Sequence, residues 1–279
     1  MKIDSHQHFW VYDTEKHAWI DDSMAQIRRD FLPADLKPIY ETHNIDGCVA
    51  VQADQSLEET DFLINLAGAN DLVKGVVGWV DLKSKKIAAD LDRYSHQKIL
   101  KGWRHIVQGE KDHNFLLRPD FLNGISLLKN YDYTYDILVF PHQLGAVLEF
   151  VKKFPNQKFV IDHMAKPYVK DGFFDGWAVL MKEIGKHENV FCKLSGMITE
   201  ADYSTWTVEQ LKPYINVVMQ AFGSSRVMFG SDWPVCMVAG TYTHVLKIIT
   251  DYISTFNAEE QNRIMGGNAI EFYNIKMQK

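Results

Sequence analysis

Residues 47–80 read GCVAVQADQSLEETDFLINLAGANDLVKGVVGWV. A short run of small and β-branched residues, Gly47–Gln52, gives way to a polar stretch with apolar residues at helical spacing, and a second β-branched run, Gly75–Val80, follows. Ser56-Leu-Glu-Glu has the form of a capping box, with a hydroxyl at the N-cap and a carboxylate three residues on, and predicts where the helix begins. A strand, a helix and a strand in this order imply parallel neighbours joined by a helical crossover.

The same alternation runs outward in both directions. Strands are expected at Ile3–Phe9, Gly47–Gln52, Gly75–Val80, Leu100–Val107, Asp136–Phe140, Lys158–Asp162, Val190–Leu194 and Arg226–Gly230. Pro119 marks a helix start, and Gln143–Lys153, Gly176–Lys186 and Val208–Phe222 carry apolar residues at helical spacing. Eight β/α units in about 250 residues match a (β/α)8 barrel. The expected fold is therefore α/β, a single TIM-like barrel domain over residues 1–279 with long βα loops and an extra C-terminal helix. A doubly wound sheet would need a phosphate-cradling glycine loop after an early strand. Neither GxGxxG nor GxxxxGK[ST] occurs, so no nucleotide cofactor is expected.

Composition narrows the partners. The chain has 279 residues, 46% hydrophobic and 24% charged, which suffices for a full core and excludes disorder, collagen and coiled coil. Lys plus Arg is 30 against 36 for Asp plus Glu, a formal charge of −6, so nothing draws the protein to nucleic acid or an anionic membrane. Cys48, Cys192 and Cys236 are far apart with no CxxC spacing, which fits a reducing compartment and buried small hydrophobes. The N-terminus carries charges where a signal peptide would be apolar, and no window of about 18 uninterrupted apolar residues occurs. The expectation is a soluble, cytoplasmic protein whose oligomeric state is left open.

In a barrel the chemistry sits at the C-terminal ends of the strands. The first strand ends Asp4-Ser5-His6-Gln7-His8, and period-two alternation points His6 and His8 the same way, inward if Ile3 faces the helices. The sixth ends Asp162-His163 and runs on to Lys166, and the eighth ends Gly230-Ser231-Asp232-Trp233. Singly, His163 reads equally as a hydrogen-bonded core residue and Asp232 as a helix N-cap. Together, with the first and eighth strands adjacent on closure, they form a constellation. Two long connections, from Trp10 to Arg29 and from Gly196 to Thr207, carry Trp19, Glu200, Tyr203 and Trp206, which would either wall a pocket or pack the loops down.

This pattern, HxH after strand one, His after strand six and Asp after strand eight, resembles the amidohydrolase superfamily. The strings DSHQHFW, RRDFLPADL, VQADQSLEET, VVGWVDL, LKGWRHIVQ, DHMAKP, CKLSGM, TEADY and GSDWPV are similar to its sugar-lactone hydrolases, and the similarity runs from Met1 to Tyr273. The resemblance implies a hydrolase acting on the carboxylic ester bond of a small-molecule sugar lactone, L-fucono- or L-rhamnono-lactone-like. That reaction needs an activated water, stabilisation of the developing oxyanion and a proton for the leaving alkoxide. Asp232 would be the base, kept ionised by its neighbours, with the carbonyl polarised either by a metal on His6 and His8 or by the direct donors His163 and Arg104. The resemblance also implies one zinc ion on His6, His8 and Asp232, or none. The fourth strand, Gly102-Trp103-Arg104-His105, lacks the lysine that is carbamylated to bridge two metals. His142 stands after strand five, where the superfamily often has a metal-binding histidine. Trp103, His105, His142, Lys166, Trp233 and Arg28 are candidate substrate contacts, although Arg28 and its neighbour Arg29 read more readily as a solvated charged face. Two other readings keep the same residues: a zinc-dependent non-oxidative decarboxylase, and a sugar-binding module without chemistry.

Overall fold

In the computed structural model, which describes residues 1–276, each β-branched run forms a strand and the helical patterns form the crossovers that return the chain. The strands are β1 (Ile3–Gln7), β2 (Gly47–Val51), β3 (Val73–Gly78), β4 (Leu100–His105), β5 (Thr134–Ile137), β6 (Phe159–Ile161), β7 (Val190–Leu194) and β8 (Val227–Phe229). They pair in sequence order, all parallel. Around them lie α1 (Pro33–His43), α2 (Leu57–Ala69), α3 (Ile87–Tyr94), α4 (Pro119–Leu128), α5 (Leu144–Lys153), α6 (Asp175–Gly185), α7 (Val208–Phe222) and α8 (Tyr242–Tyr252), followed by the short α9 (Ala258–Asn262) and α10 (Asn268–Phe272). This is the expected TIM-like barrel with an added C-terminal helix. Several strands stop short of the expected ends, because residues such as Leu138 and Phe140 leave the sheet and turn to the mouth of the barrel.

Alternation sorts the strand residues into two cores. Cys48, Ala50, Trp103, Tyr135, Ile161 and Cys192 face the helices, while Ile3, Val49, Val51, Val77, Val160 and Met228 pack with Phe272, Tyr273 and Ile275. The C-terminal segment therefore plugs the bottom of the barrel. Ile3 lies inside, against the expectation that it faces the helices. Strict alternation would then send His6 and His8 outward. A register break between Asp4 and Gln7 resets the parity, as a β-bulge does. Asp4, before the break, turns out to accept from Tyr40 Oη at 2.9 Å, and beyond it both histidines turn in.

The barrel closes at its upper rim. Asp232 N donates to His6 O at 2.8 Å and His8 N to Trp233 O at 2.7 Å, so the seam between the first and last strands is held at the candidate site itself. At α2, Ser56 accepts from Glu59 N as expected, but the Glu59 carboxylate does not complete the box: it turns back to accept from Ala53 N at 3.0 Å. The three cysteines are free and buried. Among the described residues no helix is long and apolar enough to cross a membrane.

Candidate active site

Two strained turns deliver the polar groups. Asp232 has φ 57, a left-handed conformation that Asp adopts more readily than most residues. After β6, His163, Met164, Ala165 and Lys166 are left-handed in succession, with φ 53, 53, 57 and 47. Each such residue costs roughly 1–2 kcal/mol, a kind of strain that clusters at functional sites. The turn is held from three sides. Trp177 Nε1 donates to Met164 O at 2.8 Å, Lys166 N to His163 O at 2.8 Å, and His163 Nδ1 pairs with Ser195 Oγ at 2.9 Å. Gly196, itself at φ +61, leaves room for the ring: a Cβ there would lie 2.5 Å from His163 Nδ1.

These turns open onto a cavity of about 400 Å³ at the C-terminal end of the barrel. His8, Arg104, His163 and Asp232 form its polar floor, and Trp19, Met24, Phe140, Lys166, Glu200 and Tyr203 its walls. Asp232 Oδ1 is 3.4 Å from His8 Nε2 and 3.9 Å from both His6 Nε2 and His163 Nε2. Arg104 Nη1 donates to Asp162 Oδ2 at 3.0 Å and lies 3.3 Å from His6 Nε2, while Nη2 donates to Gln52 O.

A second tier lies beneath. Lys193 Nζ is 2.5 Å from Asp136 Oδ2, 2.9 Å from Asp162 Oδ1 and 3.2 Å from His6 Nδ1, and Tyr273 Oη donates to Asp136 Oδ2 at 2.7 Å. A buried chain of charges thus joins the C-terminal plug to the floor of the cavity.

Burial decides most protonation states here. It pushes His6 and His163 well below the usual imidazole value despite the pull of Asp162 and Asp232, so both rings are neutral at pH 7. Burial opposes ionisation of Asp232, but His163, His8 and Lys166 outweigh it and hold the carboxyl below its usual value. Asp162 is likewise driven well down against its burial by Lys193, His6 and Arg104, whereas burial raises Asp136 to about 6.

The structure brings His6, His8, His163, Asp232 and Arg104 together and places Lys166 in the cavity wall. The other expected contacts lie elsewhere. Trp103 faces the helices, packed against Tyr94 and Tyr133, and His105 pairs with Glu110 at 2.7 Å while stacking on Phe115. Alternation is the reason: with Arg104 turned inward, its two neighbours must turn out. Trp233 is buried against Phe9 and Phe31. Arg28 is bound to Asp22 and Ile20 O, Arg29 to Asp35. His142 sits behind the wall, stacked on Phe140 and hydrogen-bonded to Tyr168 Oη at 2.8 Å. Sequence reasoning passed over Asp136, Asp162 and Lys193. For Asp136 and Lys193 the signal is a charge at inward parity within an otherwise apolar strand, as in VFCKL, whereas Asp162 stands just past β6 in the turn that carries His163.

Two overlapping sets of donors have the composition of a metal site: His6, His8, Asp232 and His6, Asp162, His163. In the first, Nε2 of His6 and His8 are 3.2 Å apart and the carboxylate oxygen is 3.9 and 3.4 Å from them. Tetrahedral ligands on bonds of about 2.0–2.1 Å stand roughly 3.3 Å apart, so this set fits one divalent ion in donor type and spacing. The second set already has the Lys193 ammonium against Asp162 and His6.

A family model described as amidohydrolase matches residues 3–275. L-fucono-1,5-lactonases of Burkholderia ambifaria and Burkholderia multivorans are 36% and 35% identical to the chain, over 98% of it and 96% of each relative. A solved amidohydrolase from Burkholderia multivorans with bound zinc superposes with a TM-score of 0.95 at 35% identity, covering 99% of this chain and 100% of that one. A dihydroxybenzoic acid decarboxylase from a Polaromonas species shares the fold alone, at 12% identity and a TM-score of 0.66 over 99% of this chain and 98% of its own.

Proposed function

The chain belongs to the amidohydrolase family, and from that premise we propose that it hydrolyses the ester bond of a sugar-acid lactone, L-fucono- or L-rhamnono-lactone-like, with Asp232 as the water-activating base. The observation that carries this reading is the convergence of an ionised, nearly dry carboxylate with the imidazoles of His8 and His163 and the Arg104 guanidinium on the floor of one cavity. Full-length similarity to two L-fucono-1,5-lactonases supports it.

In this site Asp232 takes a proton from water as the water oxygen attacks the lactone carbonyl carbon. His163, in the tautomer with its proton on Nε2, is placed to donate to the carbonyl oxygen as it becomes anionic, and the charge of Arg104, anchored to Asp162 in the cavity floor, stabilises that oxyanion. Ring opening expels the ester oxygen as an alkoxide, and Asp232 returns its proton there. The immediate products are a carboxylic acid and a hydroxyl, the base is regenerated, and the acid loses its proton to solvent to become the carboxylate. A zinc ion would be held by His6, His8 and Asp232. It would supply Lewis-acid polarisation of the carbonyl. The test is proton release on a panel of stereoisomeric aldonolactones. Turnover of at least one stereoisomer well above its spontaneous opening is expected, and a flat response across the panel sinks the proposal.

A further inference from the structure

Apart from histidines, the side chains lining the cavity that carry formal charge are Arg104, Lys166, Glu200 and Asp232, so two cations meet two carboxylates. Neither cation is free. Arg104 is 3.0 Å from Asp162, and Lys166 Nζ is 2.9 Å from Glu200 Oε1, with these two side chains only 18% and 13% exposed. Glu200 closes the short helical turn Ile198–Glu200 that follows β7, and Lys166 closes the left-handed turn that follows β6. The pair is thus fixed from two neighbouring strand ends.

A ligand carboxylate entering a largely desolvated cavity needs a cation to pair with. Here it would have to take Lys166 from Glu200 and leave Glu200 beside a second anion, with Asp232 a third. Hydroxyl groups meet no such obstacle, because the Glu200 carboxylate accepts from them and the Lys166 ammonium donates to them. We infer that the Lys166–Glu200 pair is a charge gate, which admits neutral polyhydroxylated lactones and rejects lactones bearing a free carboxylate. Glu200 is then the residue that determines specificity. The gate rests on the lactonase reading and extends it to the charge of the substrate.

The experiment compares kcat/KM for a neutral aldonolactone and for an aldarolactone that keeps one free carboxylate. It uses the full chain, Glu200→Gln, Lys166→Met and the double variant, each checked for native circular dichroism. The unaltered protein should prefer the neutral lactone by about 100-fold or more, the scale of a like-charge juxtaposition. Glu200→Gln frees the ammonium and should cut that preference by about tenfold or more, whereas Lys166→Met leaves an unpaired carboxylate and should raise it. The double variant should fall between the two. An unchanged preference in Glu200→Gln, or an unraised one in Lys166→Met, overturns the gate while the lactonase reading stands. Equal use of both lactones by the unaltered protein does the same. The neutral lactone is the best substrate of the stereoisomer panel, and hydrolysis of no lactone of that panel, nor of the aldarolactone, by the unaltered protein overturns gate and reading together.

Discussion

Asp232 combines a left-handed backbone, a hydrogen bond from its own amide to His6 O, and a carboxylate held ionised against its burial. Asparagine shares the tolerance for left-handed φ and keeps the amide bond, so Asp232→Asn removes the basic oxygen and little else. Turnover of the best lactone should fall about 100- to 10,000-fold with the melting temperature nearly unchanged. Activity within a few-fold of normal would take Asp232 out of the mechanism. At this scale the site was partly legible. His6, His8, His163 and Asp232 stand out because each polar group closes an apolar run. Trp103 and His105 are expected at the site from their place near a strand end, but parity excludes both once Arg104 between them faces inward. Lys193 was invisible for the opposite reason: a lone lysine inside a strand reads as a solvated edge, and only the closed barrel shows it facing inward.

The turn after β7 shows how an element positions chemistry it does not itself perform. Gly196 sits at φ +61 directly beneath the His163 ring, and the four left-handed residues of the neighbouring turn have no freedom to retreat. Gly196→Ala brings a methyl to 2.5 Å from His163 Nδ1 and adds backbone strain, which together should cost about 2 kcal/mol of stability or more. The expected signature is a displaced His163: kcat falling at least about tenfold, because a misplaced donor stabilises the transition state poorly. Retention of full kcat with only a lowered unfolding midpoint would show that the ring position is not set by this turn. Element boundaries were legible wherever a β-branched run met a cap, as at Ser56 and Pro119. The β-bulge in β1 was not, since nothing in Asp4-Ser5-His6 distinguishes a bulged from a regular strand, and the inward aim of both histidines depends on it.

Across the whole barrel, the interior is apolar below, ionic in the middle and open above, with Tyr273 of the C-terminal plug tied through Asp136 and Lys193 to Asp162 and His6. Lys193 is the cation shared by two fully buried carboxylates, so Lys193→Met exchanges it for an apolar chain of similar length and leaves both without their common partner. Breaking one side of a buried ion pair costs about 3–5 kcal/mol, which urea unfolding at pH 8 should register. The loss should depend on pH in a definite direction. Asp136 already has its pKa raised to about 6 by burial, above the unfolded value, so the folded state binds the extra proton as pH falls and that contribution grows from pH 6 downward. Removing Lys193 takes away the strongest force opposing that rise for Asp136 and the strongest favouring ionisation of Asp162. Both carboxyls must then protonate more readily when folded, and the deficit of the variant should shrink between pH 8 and pH 5. A deficit constant across that range would mean that the carboxylates are neutralised by other groups, and that the buried chain from plug to cavity floor does not act as one unit.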